Sequence, residues 1–278
     1  MSAVELKTET QKRIWLIGGT GESAKLARAL LLVQLPLLIS VTTDTARSLY
    51  PNSPLLQVWV GRFNLSQIEQ FLAEQNIIAV LDASHPYAVE ISQNAIAACS
   101  QKDIPYLRFE RARWGGGEMG RWGDGEMGGR LIYLDSFNQL VAGEYLVGER
   151  VLFTVGYKVL PLFRDWHERS TLFARLLPAT TSIAAALAAG FTQDKLFAMR
   201  PPIPLNLERE LWRHWQISMV VTKASGTPGG EDVKRQLAAE LGVTLVIIEP
   251  PIITYPQVTS DLGEAVEFCQ QHLGIQNV

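Results

Sequence analysis

The chain lacks most of the features that would decide its class outright. Its 278 residues hold two cysteines, Cys99 and Cys269. They are too few and too far apart for a disulfide framework, and the ordinary reading is two reduced thiols in a cytoplasmic protein. His167, His214 and His272 form no metal-ligand spacing with cysteine or carboxylate, so no bound metal is expected. Neither sign of charge dominates: 25 basic residues against 28 acidic ones leave a net −3. That argues against a nucleic-acid binder relying on a broad basic surface. No apolar run approaches the ~20 residues of a membrane helix, and the longest, 30–38, is interrupted by Gln34 and Pro36. Met1 to Lys12 is polar, with no apolar core of a signal peptide. The expectation is a cytoplasmic monomer or small homo-oligomer with no membrane or nucleic-acid partner.

Apolar residues are abundant, at 47%, so a substantial core is available. Short apolar runs at 14–17, 37–41, 56–60, 77–81 and 106–109 alternate with helix-forming stretches at 22–32, 66–73 and 88–99. Further runs at 131–134, 151–155, 172–177, 196–199, 217–221 and 245–248 alternate with helical stretches at 182–189, 205–215 and 232–241, and a helix at 262–273 closes the chain. Apolar runs separated by helices predict parallel sheets covered on both faces, an α/β fold. Between the two series, 114–129 reads WGGGEMGRWGDGEMGG, a near-duplicated unit with eight glycines between Gly115 and Gly129. So much glycine costs too much backbone entropy for a regular element. A linker expanded by local duplication is the plainer reading; a flap anchored by Trp114 and Trp122 is the other. The expected division is 1–113, a linker or flap at 114–130, and 131–278.

After the first run, Ile17-Gly18-Gly19-Thr20-Gly21-Glu22-Ser23-Ala24 has the form strand, glycine turn, helix. Gly19-x-Gly21-x-x-Ala24 fits the dinucleotide fingerprint: a tight turn, a close backbone approach to a pyrophosphate, and a small residue where helix meets strand. The helix start near Glu22 presents amides toward that phosphate. Beyond the second strand, Asp44 stands where an acid accepts from a ribose 2′-hydroxyl, while Arg47 and Thr43 suit a 2′-phosphate. An Asp cap on a helix starting near Ala46 is a third reading, so NADPH and NADH both stay open.

A second cluster closes the fourth strand: Asp82, Ser84, His85 and Tyr87 gather a carboxylate, a hydroxyl, an imidazole and a phenol. Pro86 suits a first helical turn. His85 suits proton donation near neutral pH, whereas the purely structural reading has Asp82 and Ser84 capping the helix. Together with IPYLRFER and the later VTKASG, the segments IGGTGES and DASHPYA resemble those of the precorrin-6A and cobalt-precorrin-6A reductases.

The resemblance runs over most of Arg13 to Pro250. It implies two Rossmann-like units with parallel sheets and an interdomain cleft, and reduction of one macrocycle double bond by hydride from NADPH or NADH during corrin-ring assembly. The cofactor would be held by Gly18, Gly19, Thr20, Gly21, Glu22, Ser23, Thr43, Asp44, Arg47 and Ser84, and His85, Tyr87 or water would supply the proton. No flavin is implied. A precorrin carries many carboxylates, so Arg108, Arg111, Lys158, Arg200 and Lys223, with Ser225 and Gly226 of a second glycine loop, become the substrate-binding candidates. Arg113 is a further cation nearby. Two other readings remain: a non-redox two-domain tetrapyrrole enzyme similar to uroporphyrinogen-III synthase, and a non-catalytic dinucleotide sensor.

Overall fold

The computed structural model describes residues 11–110, 130–226 and 229–274. The glycine–tryptophan duplication therefore lies outside the described residues. The first apolar run forms β1 (Arg13–Ile17), in which Ile14, Trp15, Leu16 and Ile17 are each at most 2% exposed. A strand with no polar face has to be covered on both sides, and the following chain does this. It forms α1 (Gly21–Leu32), β2 (Leu37–Val41), the single turn α2 (Asp44–Arg47), β3 (Leu56–Val60), α3 (Leu65–Glu74), β4 (Ile77–Asp82), α4 (Val89–Gln101) and β5 (Tyr106–Phe109).

The second series comprises β6 (Leu131–Leu134), α5 (Phe137–Ala142), β7 (Arg150–Phe153), a 3₁₀ helix over Tyr157–Glu168, β8 (Thr171–Leu176), α6 (Thr180–Ala188), β9 (Leu196–Ala198), α7 (Leu205–His214), β10 (Met219–Lys223), α8 (Glu231–Leu241) and β11 (Thr244–Ile248). The chain ends with β12 (Val258–Thr259) and α9 (Leu262–Leu273). The runs read from the sequence match these elements to within two residues. The 3₁₀ helix, with Pro161 inside it, and the very short α5 and β12 are additions.

Two six-stranded sheets result, ordered β12-β5-β4-β1-β2-β3 and β6-β11-β10-β7-β8-β9, with parallel pairing throughout. Each contains the Rossmann order 3-2-1-4-5, and each fills its sixth place with a strand from the other end of the series. The compact units are Met1–Arg113 with Ile252–Val278, and Trp114–Pro251. The expected boundary at 131–278 thus differs at its C-terminal end. There Val258 and Thr259 pair with Arg108 and Phe109 of β5, and Ala265 and Cys269 of α9 bury into the first core. Nothing in an amphipathic helix records which sheet it will cover.

Alternation along the strands builds the cores. Ile14, Leu16, Leu37 and Ile39 face α1 and α9, packing with Leu26, Leu30 and Ala265, while Trp15, Ile17, Leu38 and Val80 face Ile68, Phe71 and Ala95 of α3 and α4. Each fully buried leucine contributes about 2 kcal/mol. In the second sheet Leu152, Val220 and Leu245 pack with Trp212 and Leu237, and Phe153 and Val221 with Phe163 and Trp166 on the opposite face. Both cores leave the carboxyl ends of the strands to loops. Among the described residues no helix is long and apolar enough to cross a membrane.

Candidate active site

The glycine turn follows directly from β1. Gly18 donates its N–H to Ser40 O at 2.9 Å, and a Cβ there would lie 2.3 Å from the Tyr50 hydroxyl oxygen. Gly19 has φ +100, a conformation that disfavours side chains, and its N–H donates to the same hydroxyl at 2.7 Å. That oxygen is also 2.7 Å from Ser23 Oγ. Burial raises the Tyr50 pKa, partly opposed by its bonds to Ser23 and Gly19, so it stays a neutral phenol. Thr20 caps α1 through a capping box with Ser23. A Cβ at Gly19 or Gly21 would meet nothing within 4 Å, which leaves this backbone open to an approaching group at the start of a 12-residue helix. Ala24, 5% exposed, packs into the core beneath. The residues fit a dinucleotide phosphate. Sequence reading missed Tyr50, which lies over 30 residues from the turn it organises.

Beyond β2, Thr43 rather than Asp44 is the N-cap of α2, accepting from the Ala46 N–H at 3.3 Å. Thr43, Asp44 and Arg47 are all exposed. Arg47 borders a cavity of about 510 Å³ lined also by Tyr50, Asn52, Ser53 and Leu56.

The loop after β4 is anchored from below. Asp82, fully buried, ion-pairs with Arg108 Nη1 at 2.9 Å. It also accepts from the Ser84 N–H at 2.9 Å and from the Ser92 and Tyr106 hydroxyls, each at 2.6 Å. Burial and the Asp82 charge push the Tyr106 phenol far up, so it remains a donor. Arg108 also donates to Ser84 Oγ and to Ser84 O, both at 3.1 Å. At 1% exposure its two terminal nitrogens bond inside the protein, while the buried Nε, 3.4 Å from Glu110 Oε1, makes no hydrogen bond. Arg108 therefore holds this loop through Asp82 and Ser84. Ser84 itself is 6% exposed, so its hydroxyl serves this network.

His85 is exposed and Tyr87 half-buried, their ring centroids 5.7 Å apart. The Tyr87 N–H donates to His85 Nδ1 at 3.3 Å, which puts the proton of a neutral ring on Nε2. Ala88 N–H closes a turn to His85 O at 2.7 Å, and α4 starts only at Val89, with Ala88 as an N-cap lacking a side-chain bond. Pro86 thus sits in that turn, and neither Asp82 nor Ser84 is the cap. Asp82 reaches the first helical turn instead through Ser92. Thr20 Oγ1 donates to Ala83 O at 2.8 Å, joining this loop to the glycine turn.

At the carboxyl edge of the second sheet, Lys158 and Arg200 are exposed and Lys223 is half-buried. The Lys223 ammonium lies 5.7 Å from the Phe137 ring, and burial, then the Lys158 charge, lowers its pKa. The loop that follows is not an open anion cradle. Ser225 and Gly226 N–H both donate to Glu231 Oε2, at 3.0 and 2.9 Å, and Arg235 holds Oε1 at 2.6 and 3.0 Å. In this structure an internal carboxylate occupies the Ser225 and Gly226 amides. Lys234 Nζ, 1% exposed, donates to Gly229 O and Gly230 O at 2.7 and 3.0 Å. Arg111 and Arg113 lie outside the described residues.

Comparisons with known proteins identify the family. Residues 13–270 match the family model described as Precorrin-6x reductase CbiJ/CobK. A cobalt-precorrin-6A reductase of Synechocystis is 41% identical over 263 residues, covering 94% of this chain and 97% of that protein. One from Priestia megaterium is 28% identical over 91% and 96%. A solved structure titled CobK precorrin-6A reductase has the same fold, with a TM-score of 0.73 at 23% identity over 94% of this chain and 97% of that one. None of these matches favours the cyclase or the sensor. The chain belongs to the precorrin-6x reductase family, and it is an oxidoreductase of cobalamin biosynthesis that reduces a tetrapyrrole double bond with a nicotinamide cofactor, NADPH or NADH.

Proposed function

We propose that reduction takes place at the carboxyl edge of the first sheet and that the substrate is cobalt-precorrin-6A. The substrate assignment rests on the relative of that name with 41% identity. The observation that carries the site is the Thr20–Ala83 hydrogen bond of 2.8 Å, which ties the dinucleotide turn to the loop bearing His85.

Gly19, Thr20, Gly21, Glu22 and Ser23 would hold the cofactor's pyrophosphate at the start of α1. When bound, the nicotinamide supplies the hydride. NADPH is the form we assign, because Arg47 lines the cavity beside Tyr50 and Asp44 does not. His85, with its neutral-form proton on Nε2, is assigned as donor to the ring carbon adjacent to the one reduced, with Tyr87 beside it as the second candidate. Asp82 and Ser84 hold that loop rather than touching reactants. Lys158, Arg200 and Lys223, together with Arg111, are assigned to the substrate's carboxylates. The net charge of −3 does not oppose this, since local cations decide polyanion binding. The two buried thiols, Cys99 and Cys269, support a cytoplasmic location, and a monomer or small homo-oligomer is retained.

The test mixes protein with cobalt-precorrin-6A or precorrin-6A and with NADPH or NADH, and follows nicotinamide absorbance. Oxidation of NADPH dependent on the cobalt-containing substrate is expected. Equal rates without cobalt would overturn the substrate assignment, and a preference for NADH would overturn the role of Arg47.

A further inference from the structure

Arg108 and Asp82 are register partners at the carboxyl ends of β5 and β4, buried to 1% and 0% exposure. A buried ion pair of this kind is weak as a source of stability, because desolvation of the two charges offsets much of their attraction. What it supplies is direction. Every polar group of Ser84 is held by it: the N–H by Asp82 Oδ1, the Oγ by Arg108 Nη1 and the carbonyl by Arg108 Nη2, at 2.9, 3.1 and 3.1 Å. The next residue is His85, whose far side is fixed by the Ala88 N–H to His85 O bond of 2.7 Å. The pair is itself braced. Ser92 and Tyr106 saturate Asp82 Oδ2, and the Tyr255 ring, from the returning C-terminal segment, lies 5.1 Å from the Arg108 guanidinium.

We propose that Arg108 is a positioning residue whose planar fork, locked to Asp82, sets the 84–87 turn and thereby which nitrogen of His85 carries the proton. This rests on the reading of His85 as the proton donor only for its consequence in catalysis. Lysine keeps the charge but offers one nitrogen in place of a fork, so it cannot hold Asp82, Ser84 Oγ and Ser84 O together. The cofactor turn has its own anchor in Tyr50 and is expected to be spared.

The experiment compares intact wild type, Arg108→Lys, His85→Gln and the double variant by long-range ¹H–¹⁵N NMR of the imidazoles and by steady-state kinetics. His85→Gln identifies the His85 signals, and the other three histidines report that the fold is kept. In Arg108→Lys the His85 nitrogens are expected to move from a single Nε2–H tautomer toward an averaged one. The kcat is expected to fall on the order of 10- to 100-fold, with KM for NADPH changed less than about twofold. The double variant is expected to be no slower than His85→Gln, since both changes act through one group.

Unchanged His85 signals in folded Arg108→Lys would overturn the proposal, and so would losses that multiply in the double variant. His85→Gln at wild-type kcat would instead overturn the proton-donor reading, with positioning then decided by the imidazole signals. Should Arg108→Lys fail to fold, Tyr255→Leu, at a half-buried position, is expected to shift the same signals in the same direction by less. His85 signals unchanged in that variant would likewise overturn the proposal.

Discussion

Replacing Asp82 with asparagine is expected to destabilise the first unit by about 3–5 kcal/mol, the cost of stranding a buried charge. The carboxylate accepts four hydrogen bonds, from Arg108, Ser84, Ser92 and Tyr106. An amide of the same shape offers N–H groups where two of those donors point, and removes the charge facing Arg108. With a urea m-value of about 2 kcal/mol/M, the midpoint falls by roughly 2 M. Peptide-level hydrogen exchange across a urea series reads this unit by itself, comparing β4, α4 and β5 with β7 and β10. Adding Arg108→Met removes the stranded charge, so the double variant should recover about half of the loss. A loss under about 1 kcal/mol for Asp82→Asn, or a double variant less stable than the single one, would refute the reasoning.

Gly18→Ala puts a Cβ 2.3 Å from the Tyr50 oxygen. It should cost about 1–3 kcal/mol and weaken NADPH binding by fluorescence titration, with Tyr50→Phe restoring part of the stability. Glu231→Ala frees the Ser225 and Gly226 amides. The melting temperature of that variant should rise with added phosphate, whereas the wild type's should not respond. Lys234 is lowered by burial from 10.5 to about 8. Below about pH 8 both folded and unfolded chains carry the proton and the burial penalty is complete. Between about 8 and 10.5 the unfolded chain binds more protons, so stability of the second unit rises with pH, by at most ~3 kcal/mol. Lys234→Met should lack that rise in urea titrations at pH 8 and 10, and an identical slope in both proteins would count against it.

Much of the fold was readable because a strand buried on both faces has to be apolar throughout. Runs such as Ile14–Ile17 and Leu245–Ile248 announce themselves, and the glycine turn is marked by residues that must lie together in sequence. The partners of the site were not readable. Tyr50 reaches Gly19 across 31 positions and Arg108 reaches Asp82 across 26, and neither spacing has a local signature. In hindsight, a charged residue at the end of each of two neighbouring apolar strands was the available sign for Asp82 and Arg108. The same blindness hid the Arg108–Asp82 pair among the candidate cations, and hid the contact of Glu231 with the Ser225 and Gly226 amides.

By itself, the sequence determined the α/β class, the order of elements, the family and the two loops proposed to carry its chemistry. These follow from burial period, turn geometry and motif, all local along the chain. Only the tertiary structure decided that the C-terminal helix returns to the first sheet, that Arg108 holds Ser84, and that Tyr50 organises the glycine turn. Each of these depends on which surfaces meet once the sheets have formed, and a hydrogen bond between distant residues leaves no period in the sequence to read.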